Sequence, residues 1–177
     1  MSLDSSVLIA WIKGEPLAER LRPLFTLIDQ GEIQLIESVI VLAEVFKRST
    51  ASIEEERSTQ DAKLELILNK LQSPEVFLAD VTPAIARKVA DLRAEHGLKL
   101  PDATHLATAV LNKCDWFVTL DADFPELDKP QVLCLTPSNS STPLPWEDSS
   151  EEALIPREGF PTNVSFLRLP TQDEDRP

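Results

Sequence analysis

The chain has 177 residues, a hydrophobic content of 42% and a formal net charge of −13. This length suits one domain of ordinary size with an additional tail, and the apolar content is sufficient for a buried core. The strong negative charge argues against a protein that binds nucleic acid through a broad basic surface. It does not exclude a nuclease, because divalent cations can supply positive charge where a phosphate binds.

The sequence also predicts where the protein resides. It contains no apolar run long enough to cross a bilayer, and its first residues lack a basic stretch followed by an apolar core. We therefore expect no membrane segment and a cytoplasmic location. Cys114 and Cys134 lie among apolar residues without the spacing of a metal site, so we expect both thiols to be reduced.

Short strands alternate with amphipathic helices along the predicted chain. Strands are predicted before Asp4 and at residues 33–36, 76–81, 116–120 and 131–135. Helices are predicted after Asp4, where Ser5 or Ser6 is the cap, and at residues 16–30, 38–48 with Ser38 as the cap, 53–71, 82–96 and from Pro101 onward. This alternation is typical of an α/β fold in which helices cover a parallel sheet.

From Pro137 the composition changes to proline, serine, threonine and acidic residues. We therefore predict a folded domain over residues 1–136 and a poorly ordered acidic C-terminal tail over residues 137–177. Within this tail, the apolar character of residues 164–169 would suit a docked strand. We expect Trp146 to be exposed in the tail, whereas Trp11 and Trp116 are expected in the core.

Four acidic residues occupy comparable places in the predicted fold. Asp4 and Asp121 each end a strand, Glu44 lies on the helix after another strand, and Asp102 opens an apolar helix just after Pro101. Ligands of such sheets bind outside the carboxyl ends of the strands. Converging carboxylates repel one another, and a hard cation such as Mg²⁺ or Mn²⁺ relieves that repulsion. Such ions activate water and stabilise the departing oxygen in phosphodiester cleavage.

Each polar residue also has a simpler interpretation. Any one of the four acids, taken singly, is as well explained by a helix cap or a solvated charge. Ser6 and Ser38 fit helix caps better than catalytic groups. His105, three residues after Asp102, fits a structural histidine hydrogen-bonded near the site better than a general base. For Asp123, a supporting role near the site and a solvated surface position explain the sequence equally well.

Four segments of the chain resemble the PIN-domain ribonucleases of the VapC toxin type. They are LDSSVLIA, SVIVLAEV, LPDATHLATA and VTLDADF, they occur in the family's order, and they span residues 3–124. The resemblance implies a three-layer α/β/α sandwich with a central parallel sheet. It also implies a metal-dependent endoribonuclease in which water attacks an RNA phosphodiester, and it makes RNA, a cognate antitoxin and a second copy of the chain the expected partners.

The resemblance assigns roles to individual residues. It implies that the metal-binding catalytic acids, with Mg²⁺ or Mn²⁺ as cofactor, are Asp4, Glu44, Asp102 and Asp121. The supporting residues that it implies are the hydroxyls of Ser6 and Thr119 and the peripheral acid Asp123. His105, as the histidine expected near the site, is a fourth supporting residue.

The sequence departs from this family in two ways. Residues 1–3 alone precede Asp4, so either the first strand is unusually short or the natural chain starts upstream. The tail has no counterpart in the minimal toxins.

The main alternative is a PIN-like domain that binds RNA or a protein without cutting, which the short strand favours and the four acids disfavour. A receiver domain or an Asp-x-Asp phosphatase fits less well, because Asp4 has no acidic neighbour and the Asp121–Asp123 pair follows a late strand.

Overall fold

A computed structural model describes residues 1–13, 15, 20–45, 62, 64, 65, 67–135 and 144–146. Within these ranges the strands are β1 (Ser2–Leu3), β2 (Leu35–Ser38), β3 (Val76–Ala79), β4 (Trp116–Thr119) and β5 (Gln131–Cys134). The named helices are α1 (Ser5–Lys13), α2 (Arg22–Asp29), α3 (Val41–Val45), α4 (Pro83–His96) and α5 (Leu100–Leu111). In the part of the chain covered by these ranges, no helix has the length and apolar character needed to span a bilayer.

The three strand pairings within the described ranges are parallel, as the sequence predicts. β1 pairs with β4, β4 pairs with β5, and β2 pairs with β3. The two sheets meet where β1 lies beside β2, and there the Ile36 N–H donates to the Met1 carbonyl oxygen at 2.9 Å. The resulting spatial order is β3, β2, β1, β4, β5. Because β1 and β4 are central, the carboxyl ends that carry Asp4 and Asp121 lie side by side.

Alternate residues of the strands face two separate cores. Leu35 of β2 and Val118 of β4 belong to a core with the apolar faces of α1 and α2. Their neighbours Ile36 and Phe117 belong to a second core with α4 and α5. The apolar side chains therefore cover both faces of the strands, which confirms the predicted three-layer α/β/α arrangement.

Helix α4 begins and ends at the predicted residues. The Thr82 hydroxyl oxygen accepts a hydrogen bond from the Ile85 N–H at 3.3 Å, and Pro83 occupies the first turn. At the other end Gly97 has a φ of 71°, a left-handed conformation that ends the helix at little cost for glycine.

Two predicted helix caps are wrong. Ser38 is the fully buried last residue of β2 and does not cap a helix, and the next helix starts at Val41. Before α1, the N-cap role falls to Asp4, whose Oδ2 accepts a hydrogen bond from the Ser6 N–H at 3.4 Å. The polar residues at the end of β2 resemble a turn in sequence, but pairing with β3 extends the strand through them.

Trp146 is buried with 5% exposure, so its predicted exposure is wrong. Its indole N–H donates to the Arg20 carbonyl oxygen at 3.1 Å, and both Trp146 and Leu144 belong to the core that includes the apolar residues of α1 and α2. These two residues lie inside the predicted tail. The predictions for residues 46–61, 136–143 and 147–177, the strand at 164–169 among them, lie outside the described residues.

We expect Trp146→Ala to lower the free energy of unfolding by about 3 kcal/mol, because it removes a large buried ring. Trp146→Phe keeps most of the packing and loses the hydrogen bond, so a loss of about 1 kcal/mol is expected. Urea denaturation measures both values. If both variants were as stable as the parent, the Trp146 ring would not pack on the domain in solution.

Candidate active site

Asp4 stands at the carboxyl end of β1, where two hydroxyl groups hold its side chain. The hydroxyls of Ser6 and Thr119 both donate to Asp4 Oδ2, the latter at 3.2 Å. The Asp4 main-chain N–H donates to the Val118 carbonyl oxygen at 2.8 Å, which joins this residue to β4. With 4% exposure, the Asp4 carboxylate is a buried acid whose orientation is set by both neighbouring elements.

The same two hydroxyls also hold the segment after β4. The Leu120 N–H donates to Ser6 Oγ at 3.3 Å, and the Asp121 N–H donates to Thr119 Oγ1 at 3.0 Å. Asp121 is thereby fixed beside Asp4. Asp123 contacts Asp121 through its main chain, since the Asp123 N–H donates to Asp121 Oδ1 at 2.9 Å, while its side chain is exposed.

Asp102 lies in the first turn of α5, as the sequence predicts. Partial burial raises the pKa of its carboxyl group, and the negative charges of Asp4, Asp121 and Glu44 raise that pKa further. The nearby Lys99 ammonium acts in the opposite direction. The structure thus brings the other three predicted acids within electrostatic range of Asp102.

Glu44 reaches this region from α3 and is tied to α5 by a histidine. Its Oε2 lies 2.6 Å from His105 Nε2, and the His105 side chain is fully buried. This hydrogen bond is the main cause that lowers the pKa of Glu44, against the opposing effect of burial. Among the described residues, His105 Nδ1 has no hydrogen-bond partner. His105 therefore fastens Glu44 beside the helix that carries Asp102.

The four acids suit a hard divalent cation by their chemistry. All are carboxylates, and repulsion from the charges of Asp4, Asp121 and Glu44 adds to the larger effect of burial in raising the pKa of Asp102. A bound cation would remove this repulsion. No group of three or more His, Cys, Asp or Glu side chains within the described ranges is gathered closely enough to hold an ion as the side chains stand.

Glu37 is the most completely buried acid among the described residues, and it was not among the predicted site residues. Glu37 is 0% exposed within β2, and its Oε1 accepts a hydrogen bond from the Leu3 N–H at 2.8 Å. Burial raises its pKa well above the usual 4.5, although the Leu3 hydrogen bond acts in the opposite direction. The signal available in the sequence is a lone acid inside the apolar segment QLIESVIV.

The structure is a parallel α/β sandwich, and acidic residues lie at the carboxyl ends of its central strands. Both features are those of one protein class. The chain belongs to the PIN domain family, whose sequence pattern matches residues 1–130. No protein of curated function matches the chain in sequence.

Solved structures of toxin–antitoxin systems share this fold. A toxin–antitoxin complex from Klebsiella pneumoniae contains a chain with 25% identity and a TM-score of 0.53, and the match covers 75% of this chain and 94% of that one. VapBC-5 of Mycobacterium tuberculosis, described as a member of the VapBC family of toxin-antitoxin systems, gives 26% identity and a TM-score of 0.51 over 76% and 97% of the two chains. VapBC2 of Rickettsia felis, described as bound to a DNA fragment from its promoter, is similar in fold at 19% identity and a TM-score of 0.52, over 70% of this chain and 89% of that one.

Proposed function

We propose that this protein is a divalent-metal-dependent endoribonuclease and the toxin of a toxin–antitoxin pair. Membership of the PIN domain family and the two toxin–antitoxin neighbours of 25% and 26% identity support this proposal. The observation that carries it is a set of hydrogen bonds: the Thr119 hydroxyl contacts both the Asp4 carboxylate and the Asp121 N–H, and His105 ties Glu44 to the helix that carries Asp102 in its first turn. A cognate antitoxin is the proposed protein partner.

In this proposal the carboxylates of Asp4, Glu44, Asp102 and Asp121 hold one or more Mg²⁺ or Mn²⁺ ions. Bound there, such an ion supplies Lewis acidity and lowers the pKa of a coordinated water. The Ser6 and Thr119 hydroxyls keep the Asp4 carboxylate in one orientation, and His105 keeps Glu44 against α5. These supporting contacts hold the acids in place before the RNA arrives, which lowers the ordering cost of catalysis.

Incubation of the purified protein with single-stranded RNA tests the proposal directly. We expect cleavage with Mg²⁺ or Mn²⁺, loss of cleavage on removal of the metal with EDTA, and its return on addition of excess Mn²⁺. Cleavage that survives EDTA would contradict the metal dependence. Absence of heat in a calorimetric titration with Mn²⁺, and of any stabilisation by the metal, would favour the PIN-like domain that binds RNA or a protein without cutting.

Thr119→Val tests the hydroxyl that supports Asp4. The substitution keeps the shape of a fully buried side chain and removes its hydrogen bonds to Asp4 and Asp121. We expect Mn²⁺ affinity, measured by calorimetry, to fall about 10- to 100-fold, as is typical when a ligand loses its supporting hydrogen bond.

Thr108→Val is the matched control for this substitution. Thr108 is also fully buried, and its hydroxyl donates to the Thr104 carbonyl oxygen within α5 at 2.8 Å. This variant is expected to bind Mn²⁺ like the parent, since its lost hydrogen bond lies within one helix. Equal Mn²⁺ affinities for the Thr119 and Thr108 variants would mean that Thr119 does not support the site.

A further inference from the structure

We propose that Glu37 is a positioning residue for Asp4, because its buried side chain holds the short strand β1 against β2. The consequence for metal binding depends on the function proposed above, whereas the contact between Glu37 and Leu3 does not.

β1 has two residues and therefore few main-chain hydrogen bonds of its own. On one side it pairs with β4, where Leu3 lies opposite Val118. On the other side the Leu3 N–H donates to the Glu37 side chain at 2.8 Å and not to a main-chain carbonyl of β2. A side chain thus substitutes for a strand–strand bond at the residue immediately before Asp4.

Glu37 is buried among apolar residues, where a carboxyl group is costly, which indicates that its contact with Leu3 has a role beyond packing. Glu37 lies in a strand whose neighbours Leu35 and Ile36 are apolar and buried, and an apolar side chain there would avoid the cost of burying a carboxyl group. Among the described residues, Glu37 Oε2 has no hydrogen-bond partner, which adds to that cost. The hydrogen bond from the Leu3 N–H to Oε1 acts against that cost, and the positive charge of the Met1 amino group acts in the same direction.

Glu37 also lies close to the acid that it would position. The negative charge of Asp4 is one of the causes that raise the pKa of Glu37, behind the larger effect of burial. Glu37 in its neutral form can accept the Leu3 hydrogen bond without adding a further negative charge beside Asp4. The role proposed here therefore requires a hydrogen-bond acceptor at this position and no charge.

Two substitutions separate this role from a purely structural one. Glu37→Gln keeps an oxygen acceptor in nearly the same shape, and Glu37→Met keeps similar volume without an oxygen. We expect the Gln variant to bind Mn²⁺ within about threefold of the parent, and the Met variant to bind it about 10- to 100-fold more weakly. Leu35→Met, a change in the same strand that leaves the hydrogen bond in place, is the matched control and is expected to retain parental affinity.

Amide hydrogen exchange supplies a readout that is independent of metal. The Leu3 and Asp4 amides are expected to exchange faster in the Met variant than in the parent or the Gln variant, while the amides of α5 keep their protection. Should the Met variant fail to fold, Glu37→Thr removes the same contact because its hydroxyl is too short to reach Leu3.

The possible results separate the two proposals. Parental Mn²⁺ affinity and parental Leu3 exchange in the Met or Thr variant would overturn the positioning role. Equal weakening of Mn²⁺ binding in the Gln, Met and Leu35 variants would also overturn it, because that pattern marks a general loss of stability. Absence of Mn²⁺ binding by the parent protein, with Leu3 exchange still dependent on Glu37, would instead count against the proposed function.

Discussion

Asp102→Asn is expected to reduce the rate of RNA cleavage by at least about a hundredfold, the scale typical of losing one group that stabilises charge in the transition state. The substitution preserves the shape of the side chain and removes a negative charge that acts together with those of Asp4, Asp121 and Glu44. Initial rates of cleavage of a labelled RNA at saturating Mg²⁺ measure the effect.

Asp91→Asn is the matched control, because it removes the same charge from an exposed position on α4. It is expected to cleave RNA at the parental rate, which would separate the loss of a site acid from the change in net charge. If the Asp102 variant cleaved RNA at the parental rate, Asp102 would not be a catalytic residue. Equal losses in both variants would attribute the effect to net charge.

Glu37→Gln is expected to stabilise the fold increasingly as the pH rises. In the unfolded chain Glu37 ionises near its usual pKa of 4.5, whereas in the folded chain burial raises that pKa well above this value. Between the two pKa values unfolding releases a proton, so the stability of the parent falls relative to the Gln variant by about 1.4 kcal/mol per pH unit. The fall ends above the folded-state pKa, where Glu37 is ionised in both states.

Urea denaturation of the parent and the variant between about pH 5 and about pH 8 measures this difference. Glu126→Gln, at an exposed position, is the control and is expected to leave the pH dependence of stability unchanged. A constant difference between the parent and the Glu37 variant over this range would show that the buried carboxyl does not retain its proton on folding.

Local signals in the sequence were sufficient to predict much of the fold. Helix α4 follows from the Thr82–Pro83 start and the Gly97 stop, and α5 follows from Pro101 and the apolar residues after Asp102. The parallel pairing follows from the alternation of strands and helices. The end of β2 could not be predicted in this way, because Ser38 is held in the strand by its pairing with Ala79.

In the candidate site, too, some features follow from local sequence signals and others depend on contacts between distant parts of the chain. The adjacent positions of Asp4 and Asp121 follow from their places after neighbouring parallel strands. The hydrogen bond between Glu44 and His105 depends on how α3 packs against α5, and these residues are 61 positions apart in the chain. Trp146 was predicted to be exposed because its neighbours are polar, although its burial depends on a contact 126 positions away.

The proposed function depends on the binding of a divalent cation by the carboxylates of Asp4, Glu44, Asp102 and Asp121. The most direct measurement is a crystal structure of the protein with Mn²⁺, with the metal located by its anomalous scattering. We expect a peak at the carboxyl ends of β1 and β4, with carboxylate oxygens of these residues at about 2.2 Å where they bind the metal directly. A carboxylate that binds through a coordinated water would lie farther from the metal and within hydrogen-bond distance of that water. Manganese bound at another place, or a saturating concentration that leaves this position empty, would contradict the proposal.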